Sequence, residues 1–327
     1  MTIRVPNTHN FSLNDVYYAV KDHDLSVSGN LVDCFAKAED DYFDSRYEGS
    51  KDRLSNFRNY GPPRCYVANT FHQTYGSVNA QPQGIWFTAT GSNAFVIYNY
   101  REVTRYSLST AWDPSTASYE YLKTLTAGKE YNSLYFTPNG LSFFTINKTD
   151  EVLEKWNMTL AYNVSTASLN SSYDFTGEDT GMLCLYFKSD GKKLFMGGNE
   201  FTNTAVYEYT LSTGFDLSTV SYVRKLDLME EHPLIGVWLS SDGKRLYALN
   251  QDSNFIVQVN LPTAFSLAST GFNCAGYILG IPYEDSEVVD IYVIEEIEED
   301  LNGKLHVFCC DYTNSAIIYD ITQDEPL

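Results

Sequence analysis

Apolar residues occur along this chain in short runs, and between Gly84 and Asp320 the runs recur as a set. Ile85-Trp86-Phe87-Thr88, Leu134-Tyr135-Phe136-Thr137, Leu185-Tyr186-Phe187-Lys188, Val237-Trp238-Leu239-Ser240 and Ile291-Tyr292-Val293-Ile294 each carry an aromatic second. The intervals between these aromatics are 49, 51, 52 and 54 residues. A turn and another apolar run follow each quartet: Gly91 precedes Ala94–Tyr98, and Asn139-Gly140 precedes Leu141–Ile146. Asp190-Gly191, Asp242-Gly243 and Asn302-Gly303 stand in the same place in the later copies. Asn-Gly and Asp-Gly between apolar runs favour tight hairpins, because those residues tolerate positive φ. In the first copy the pattern predicts strands at Gly84–Thr88, Ala94–Asn99, Val103–Ser109 and Ser118–Leu125.

A second phrase recurs between the third and fourth strands. It reads Ala111-Trp112-Asp113-Pro114-Ser115-Thr116-Ala117-Ser118-Tyr119, then Ala161-Tyr162-Asn163-Val164-Ser165-Thr166-Ala167-Ser168-Leu169, then Gly214-Phe215-Asp216-Leu217-Ser218-Thr219-Val220-Ser221-Tyr222. A looser copy runs from Ala264 to Phe272. The Asp, Asn or Ser after the aromatic can accept a bond from the backbone two residues on, giving a compact turn. Short strands repeating near fifty residues specify an all-β fold, a β-propeller. The fifth copy ends after three strands, at Val289–Glu295, Leu305–Cys310 and Ala316–Ile321. An open sheet edge invites aggregation, and the strand-like stretch Arg64–Phe71 can fill the gap. The expectation is five blades, the last closed by that early strand; residues 72–83 leave room for one further strand pair.

Residues 1–62 do not share the repeat. Leu31, Phe35 and Ala38 fall on one helical face, and Pro62-Pro63 breaks the chain. The division expected is a small mixed α/β docking module at 1–62 and the propeller at 63–327. The module is too short for much of a core of its own, so it packs against something else. Within it, Lys51, Arg53 and Arg58 run against the trend of an acidic chain and are candidates for contact with an acidic partner. Phe57 and Tyr60 are the candidate apolar anchors.

Charge narrows the partners. The net charge of −20 argues against a nucleic-acid surface. Thirteen Asp or Glu against one Lys fall between Glu284 and Leu327. No stretch is long and apolar enough to insert in a membrane, and the N-terminus lacks the apolar core of a secretion signal, so synthesis in a host cytoplasm without secretion is expected. The six Cys residues lack metal-ligand spacing and read as buried thiols. The five His residues show no ligand spacing either. The acidic run Glu295–Asp300 lacks the spaced oxygen ligands of a Ca²⁺ loop and reads as a solvated hairpin tip.

Catalytic chemistry finds little purchase. A propeller glycosidase needs carboxylates from separate blades, whereas Thr88, Thr137, Lys188 and Ser240 occupy the inner-strand positions. Asp290 and Glu295 flank only the last. No phosphate loop, nucleophile elbow or zinc-protease motif is present. The expectation is therefore a non-enzyme without cofactor or metal. Trp86, Tyr135, Tyr186, Trp238 and Tyr292 recur in every copy and read as packing between blades, whereas Tyr98, Tyr100, Trp156 and Tyr283 break the repeat and are candidates for glycan stacking.

The phrase aromatic-Asp-Leu/Pro-Ser-Thr-Ala/Val-Ser-Tyr, with Tyr186-Phe187-Lys188-Ser189-Asp190-Gly191-Lys192-Lys193-Leu194-Phe195 and its copy from Trp238 to Tyr247, resembles a propeller repeat of bacteriophage tail and virion proteins. Leu54–Gly61 and Phe11–Val16 resemble short modules at the front of structural proteins of phages infecting Bacteroidetes-type hosts. The resemblance implies a virion structural protein, placed in the tail as fibre, hub or adaptor, with head decoration as second placement. It would dock by residues 1–62 onto other virion proteins, form a homo-oligomer, and display the propeller. A lectin-like propeller recognising host-surface glycan is the alternative, and a glycoside-active enzyme a distant third.

Overall fold

The computed structural model describes residues 65–72, 81–177, 181–198, 205–228, 233–250, 255–268, 274–280, 288–295, 305–311 and 317–323. Of the first 64 residues it describes Val16, Cys34 and Ala36, all helical, the first two buried. The rest of the expected docking module lies outside the described residues.

The described chain is a β-propeller. Strand β1 (Cys65–His72) comes first. Then β2 (Pro82–Phe87), β3 (Asn93–Tyr98), β4 (Glu102–Leu108) and β5 (Ala117–Thr124) form one four-stranded antiparallel sheet. The second sheet holds β6 (Tyr131–Phe136), β7 (Ser142–Asn147), β8 (Val152–Asn157) and β9 (Ser168–Asp174). The third holds β10 (Met182–Phe187), β11 (Lys193–Gly198), β12 (Ala205–Leu211) and β13 (Val220–Asp227). The fourth holds β14 (Leu234–Leu239), β15 (Arg245–Asn250), β16 (Phe255–Asn260) and β17 (Cys274–Gly280). These four blades are each contiguous in sequence. A further four-stranded sheet is composite: β18 (Val288–Glu295), β19 (Leu305–Asp311) and β20 (Ile317–Gln323) are completed by β1 in the order β1-β20-β19-β18. The early strand thus pairs with the last, Cys65 opposite Gln323 and His72 opposite Ile317, as the edge argument requires. First strands stand side by side, β2 by β6, β6 by β10, β10 by β14, β14 by β18, and β18 by β2, which closes the ring.

Burial falls from the axis outward, as expected when neighbouring sheets cover both faces of the inner strands. Strands β2, β6 and β10 are buried along their whole length, while β5, β9 and β13 carry only partly and fully exposed residues. The repeated aromatics pack between blades as their periodicity predicts. Trp86 lies 4.9 Å from Phe136, Tyr135 lies 5.4 Å from Phe187, and Tyr186 lies 4.9 Å from Trp238 between ring centroids.

The second phrase forms a lock at the opposite strand ends. Trp112, Tyr162, Phe215 and Phe265 all have positive φ. Each donates its backbone N–H to the hairpin glycine of its own sheet, at 3.1, 2.7, 3.1 and 2.7 Å for Gly91, Gly140, Gly191 and Gly243. The aromatic ring lies where a glycine Cβ would be, 2.2–2.5 Å away, so these hairpins admit no side chain. Asn163 and Asp216 then accept from the backbone N–H of Ser165 and Ser218, at 3.2 and 3.0 Å, the turn the sequence predicts. The preceding sheet reaches across to the same turn. Arg105 donates to the Tyr162 carbonyl at 3.1 Å and Lys155 to the Phe215 carbonyl at 2.8 Å, while the carboxylate of Glu208 accepts the Leu267 N–H at 2.9 Å.

Candidate functional site at the mouth of the ring

The residue before each inner quartet occupies a special place. Gly84, Ser133, Cys184, Gly236 and Asp290 all sit at register breaks in their first strands. A bulge turns a side chain out of the pleat. Ser133 and Asp290 take left-handed φ values of 58° and 71°, which a short hydrogen-bonding side chain helps to tolerate. From this position three side chains reach from one first strand to the next. Asp290 Oδ2 accepts the Ile85 N–H at 3.1 Å, and Ser133 Oγ accepts the Leu185 N–H at 3.3 Å. Cys184 Sγ stands 3.4 Å from the Gly197 carbonyl of its own sheet and 3.6 Å from the Leu234 carbonyl of the next, its one proton shared between them. Gly84 leaves no gap either: a Cβ there would lie 2.9 Å from Ser133 Cα.

One residue earlier the ring divides chemically. Gln83 and Asn132 are 4 % and 8 % exposed, whereas Leu183 and Ile235 occupy the matching places on β10 and β14. Gln83 Nε2 and Asn132 Oδ1 have no hydrogen-bond partner. A buried polar group without a partner costs about 1–3 kcal/mol, so one donor and one acceptor stand at the mouth at a net cost to the fold. Asp290 is 4 % exposed and is bonded to the backbone of Ile85, two residues on from Gln83. At this place the ring is therefore polar over β2 and β6 and apolar over β10 and β14, and Asp290 adds a carboxylate one place further along β18.

Electrostatics decides what these groups can do. Burial pushes the Cys184 thiol well above its ordinary value, and the negative charge of Asp290 adds to the effect. A thiol held protonated is a poor nucleophile. Cys184 and Cys34 are buried, as the sequence suggests. Tyr131, next to Asn132, has its phenol pushed up to about 12, chiefly by burial. Behind it, Glu154 accepts from Asn147 at 2.8 Å and from the Trp156 indole at 3.1 Å. At the same strand ends, Lys129 forms an ion pair with Asp150, and the Tyr131 N–H bonds to the Tyr100 carbonyl at 2.6 Å. No group of His, Cys, Asp and Glu able to hold a metal occurs among the described residues.

Several expectations change. Thr88, Thr137 and Ser240 do not line the axis at the mouth. Their hydroxyls accept the backbone N–H of Asn93, Ser142 and Arg245 across the first hairpin, at 3.1, 3.1 and 2.8 Å. Trp156 is no glycan platform, since it stacks on Phe143 at 6.0 Å with 5 % exposure. Tyr98 is likewise buried. The proposed docking residues Lys51, Arg53, Phe57, Arg58 and Tyr60 lie outside the described residues, as do Tyr283 and the run 296–300. Gln83, Asn132 and Ser133 were not singled out by sequence; the available signal was polar residues just ahead of an apolar quartet.

No family model matches the chain, and no curated protein matches it. Solved structures do. A putative 6-phosphogluconolactonase from Bacteroides uniformis is 14 % identical with a TM-score of 0.41, covering 60 % of this chain and 53 % of that one. A Lactobacillus plantarum protein is 13 % identical with a TM-score of 0.41, covering 62 % and 56 %. The periplasmic gluconolactonase of Pseudomonas aeruginosa is 14 % identical with a TM-score of 0.42, covering 74 % and 70 %. The match thus spans little more than half the length of the first two. At these identities and TM-scores the likeness assigns no activity to this chain. The expectation of a non-enzyme is nevertheless corrected: structures titled as gluconolactonases are among those the chain resembles. The exclusion of catalysis had also rested on Thr88, Thr137, Lys188 and Ser240 as axis residues, and the structure bonds Thr88, Thr137 and Ser240 into hairpins instead.

Proposed function

We propose that this chain is a phage virion structural protein, tail-associated, that docks by residues 1–62 and presents a ring of five blades outward, the composite sheet being the fifth. The observation that carries the reading is the repeated turn phrase. Its aromatics seat on hairpin glycines and are bonded by the preceding sheet, so the phrase that resembles virion propellers is also the element that makes the ring rigid. A rigid ring presents surface without the ordering cost that a mobile one pays on binding. Lys51, Arg53 and Arg58 supply contacts to an acidic neighbour, and Phe57 and Tyr60 anchor the module.

The test is mass spectrometry of purified particles from cells that carry the gene, with wild-type chain and with the K51E/R53E/R58E variant. The expected result is wild-type chain in intact particles and loss of the variant, with melting unchanged. Wild-type chain found only in the soluble lysate overturns the reading. A second reading, recognition of host glycan by the propeller, is favoured by the unpartnered amide atoms of Gln83 and Asn132.

A further inference from the structure

We propose that the strand ends carrying Gln83, Asn132, Ser133 and Asp290, with Leu183 and Ile235 at the matching places of β10 and β14, form a binding site for one neutral sugar unit. The inference rests on the glycan-recognition reading and names its site and ligand class. Three observations converge on it. First, the strands carrying the polar residues are neighbours: β18 is tied to β2 by the Asp290–Ile85 bond, and β2 abuts β6 where Gly84 meets Ser133. Second, Gln83 Nε2 is an unused donor and Asn132 Oδ1 an unused acceptor, both on side chains more than nine-tenths buried. A sugar hydroxyl both accepts and donates, so adjacent hydroxyls can satisfy the two amides together. A simple anion or cation answers only one of them. Third, the matching places on β10 and β14 hold Leu183 and Ile235, and a pyranose presents C–H groups as well as hydroxyls. Sites of this kind pair apolar walls with a few placed polar groups.

Charge sets the class more closely. The Asp290 carboxylate stands in a buried setting and its field reaches Cys184 across the ring. An acidic sugar would bring a second negative charge into that field, on a chain whose net charge is already −20. Neutral hexoses are therefore preferred over uronic acids. The unpartnered atoms also explain why the polar half is confined to β2 and β6. The same places on β10 and β14 are filled by Leu183 and Ile235 at no desolvation cost, so apolar residues are compatible with the ring and the amides answer another need.

The experiment uses the full chain and ligand-observed NMR with D-glucose, D-galactose, D-mannose and N-acetyl-D-glucosamine, with D-glucuronic acid as the charged probe. Wild-type chain should give saturation transfer from at least one neutral sugar and less from glucuronic acid. Gln83→Leu and Asn132→Leu should each weaken that binding about tenfold, the loss of one net hydrogen bond. Gln83→Met, closer in shape, serves if the leucine variant melts early. Neutral-sugar binding that survives both substitutions overturns this site while leaving glycan recognition standing elsewhere on the propeller. Failure of all four neutral sugars overturns both. Equal or better binding of glucuronic acid overturns the assigned class. Particle incorporation of the same variants reads the virion proposal separately, since none of these substitutions touches residues 1–62.

Discussion

The carboxylate of Asp290 accepts the backbone N–H of Ile85 at 3.1 Å across 205 residues of sequence. One side chain thus fastens the last inner strand to the first. It does so from a left-handed backbone at φ 71°, a conformation that costs an ordinary residue about 1–2 kcal/mol. Asp290→Ala removes a charge-assisted bond and retains the strained backbone, and should lower stability by about 3 kcal/mol in urea denaturation. Asp290→Asn keeps both an acceptor and tolerance of positive φ, and should cost about 1 kcal/mol. Equal losses for the two variants would show that the bond does not close the ring.

The glycine locks give a paired prediction. Gly191 has φ +70° and a Cβ there would lie 2.4 Å from the Phe215 ring, while Gly128 has φ +76° and open space. Gly128→Ala should cost about 1 kcal/mol, backbone strain alone. Gly191→Ala should cost about 3 kcal/mol or more, because the ring must leave its seat. Chemical denaturation of both variants reads the difference directly.

Glu208 is 1 % exposed and serves three partners: an ion pair with Lys193, Arg224 at 3.5 Å, and the Leu267 N–H of the next sheet at 2.9 Å. Arg105 and Lys155 stand at the same place in earlier sheets, but they donate to a carbonyl. Charge sign here follows whether the next turn offers an acceptor or a donor. Glu208→Lys should therefore be among the most damaging surface-distant changes, at about 3–5 kcal/mol, since it buries like charges beside Lys193. Recovery of soluble chain and its melting temperature are the measurements.

Acid should loosen the turns. Lys188 holds the Asp190 carboxyl below its ordinary 3.8, and hydrogen bonds from Ser218 and Ser240 do the same for Asp216 and Asp242. A folded-state value below the unfolded one adds stability that is complete above about pH 4 and disappears as pH falls through the folded value. The urea midpoint should hold from about pH 6 to about pH 4 and drop as pH falls further toward about 2. The triple variant Asp190→Asn, Asp216→Asn, Asp242→Asn should show a smaller drop. An identical drop would place the acid-sensitive groups elsewhere.

Strand β1 is needed for closure, so chain length should matter sharply. A chain beginning at Arg64 keeps β1 and should remain soluble. One beginning at Gln81 leaves β20 with an open edge and should associate into large species by light scattering. Equal behaviour of the two would mean that β20 tolerates exposure.

Much of this architecture is legible from residues alone, and the reason is repetition. The quartets around Trp86, Tyr135 and Tyr186 declare the inner strands because each must be apolar on both faces. Asn139-Gly140 and Asp190-Gly191 declare the hairpins because their φ admits little else. The role of Arg64–Phe71 follows from counting strands and finding one edge too many. The mouth of the ring is harder to read. Ser133 and Asp290 acquire their directions from bulges, and a bulge exists only once two strands have chosen their register. Trp156 looks irregular in sequence but is held inside by Glu154 and Phe143, a relation set by pairing rather than spacing.

The composite sheet carries a consequence for synthesis. Four blades can form as they leave the ribosome, each from strands already in hand. Strand β1 emerges ahead of them and must wait, unpaired, until β20 is complete. Ring closure is thus the last event and depends on the strand pairing most distant in sequence among the described residues, the kind that slows folding most. A ribosome stalled anywhere before Gln323 leaves a nascent ring with two mutually complementary edges, and on a crowded message those edges belong to neighbouring chains.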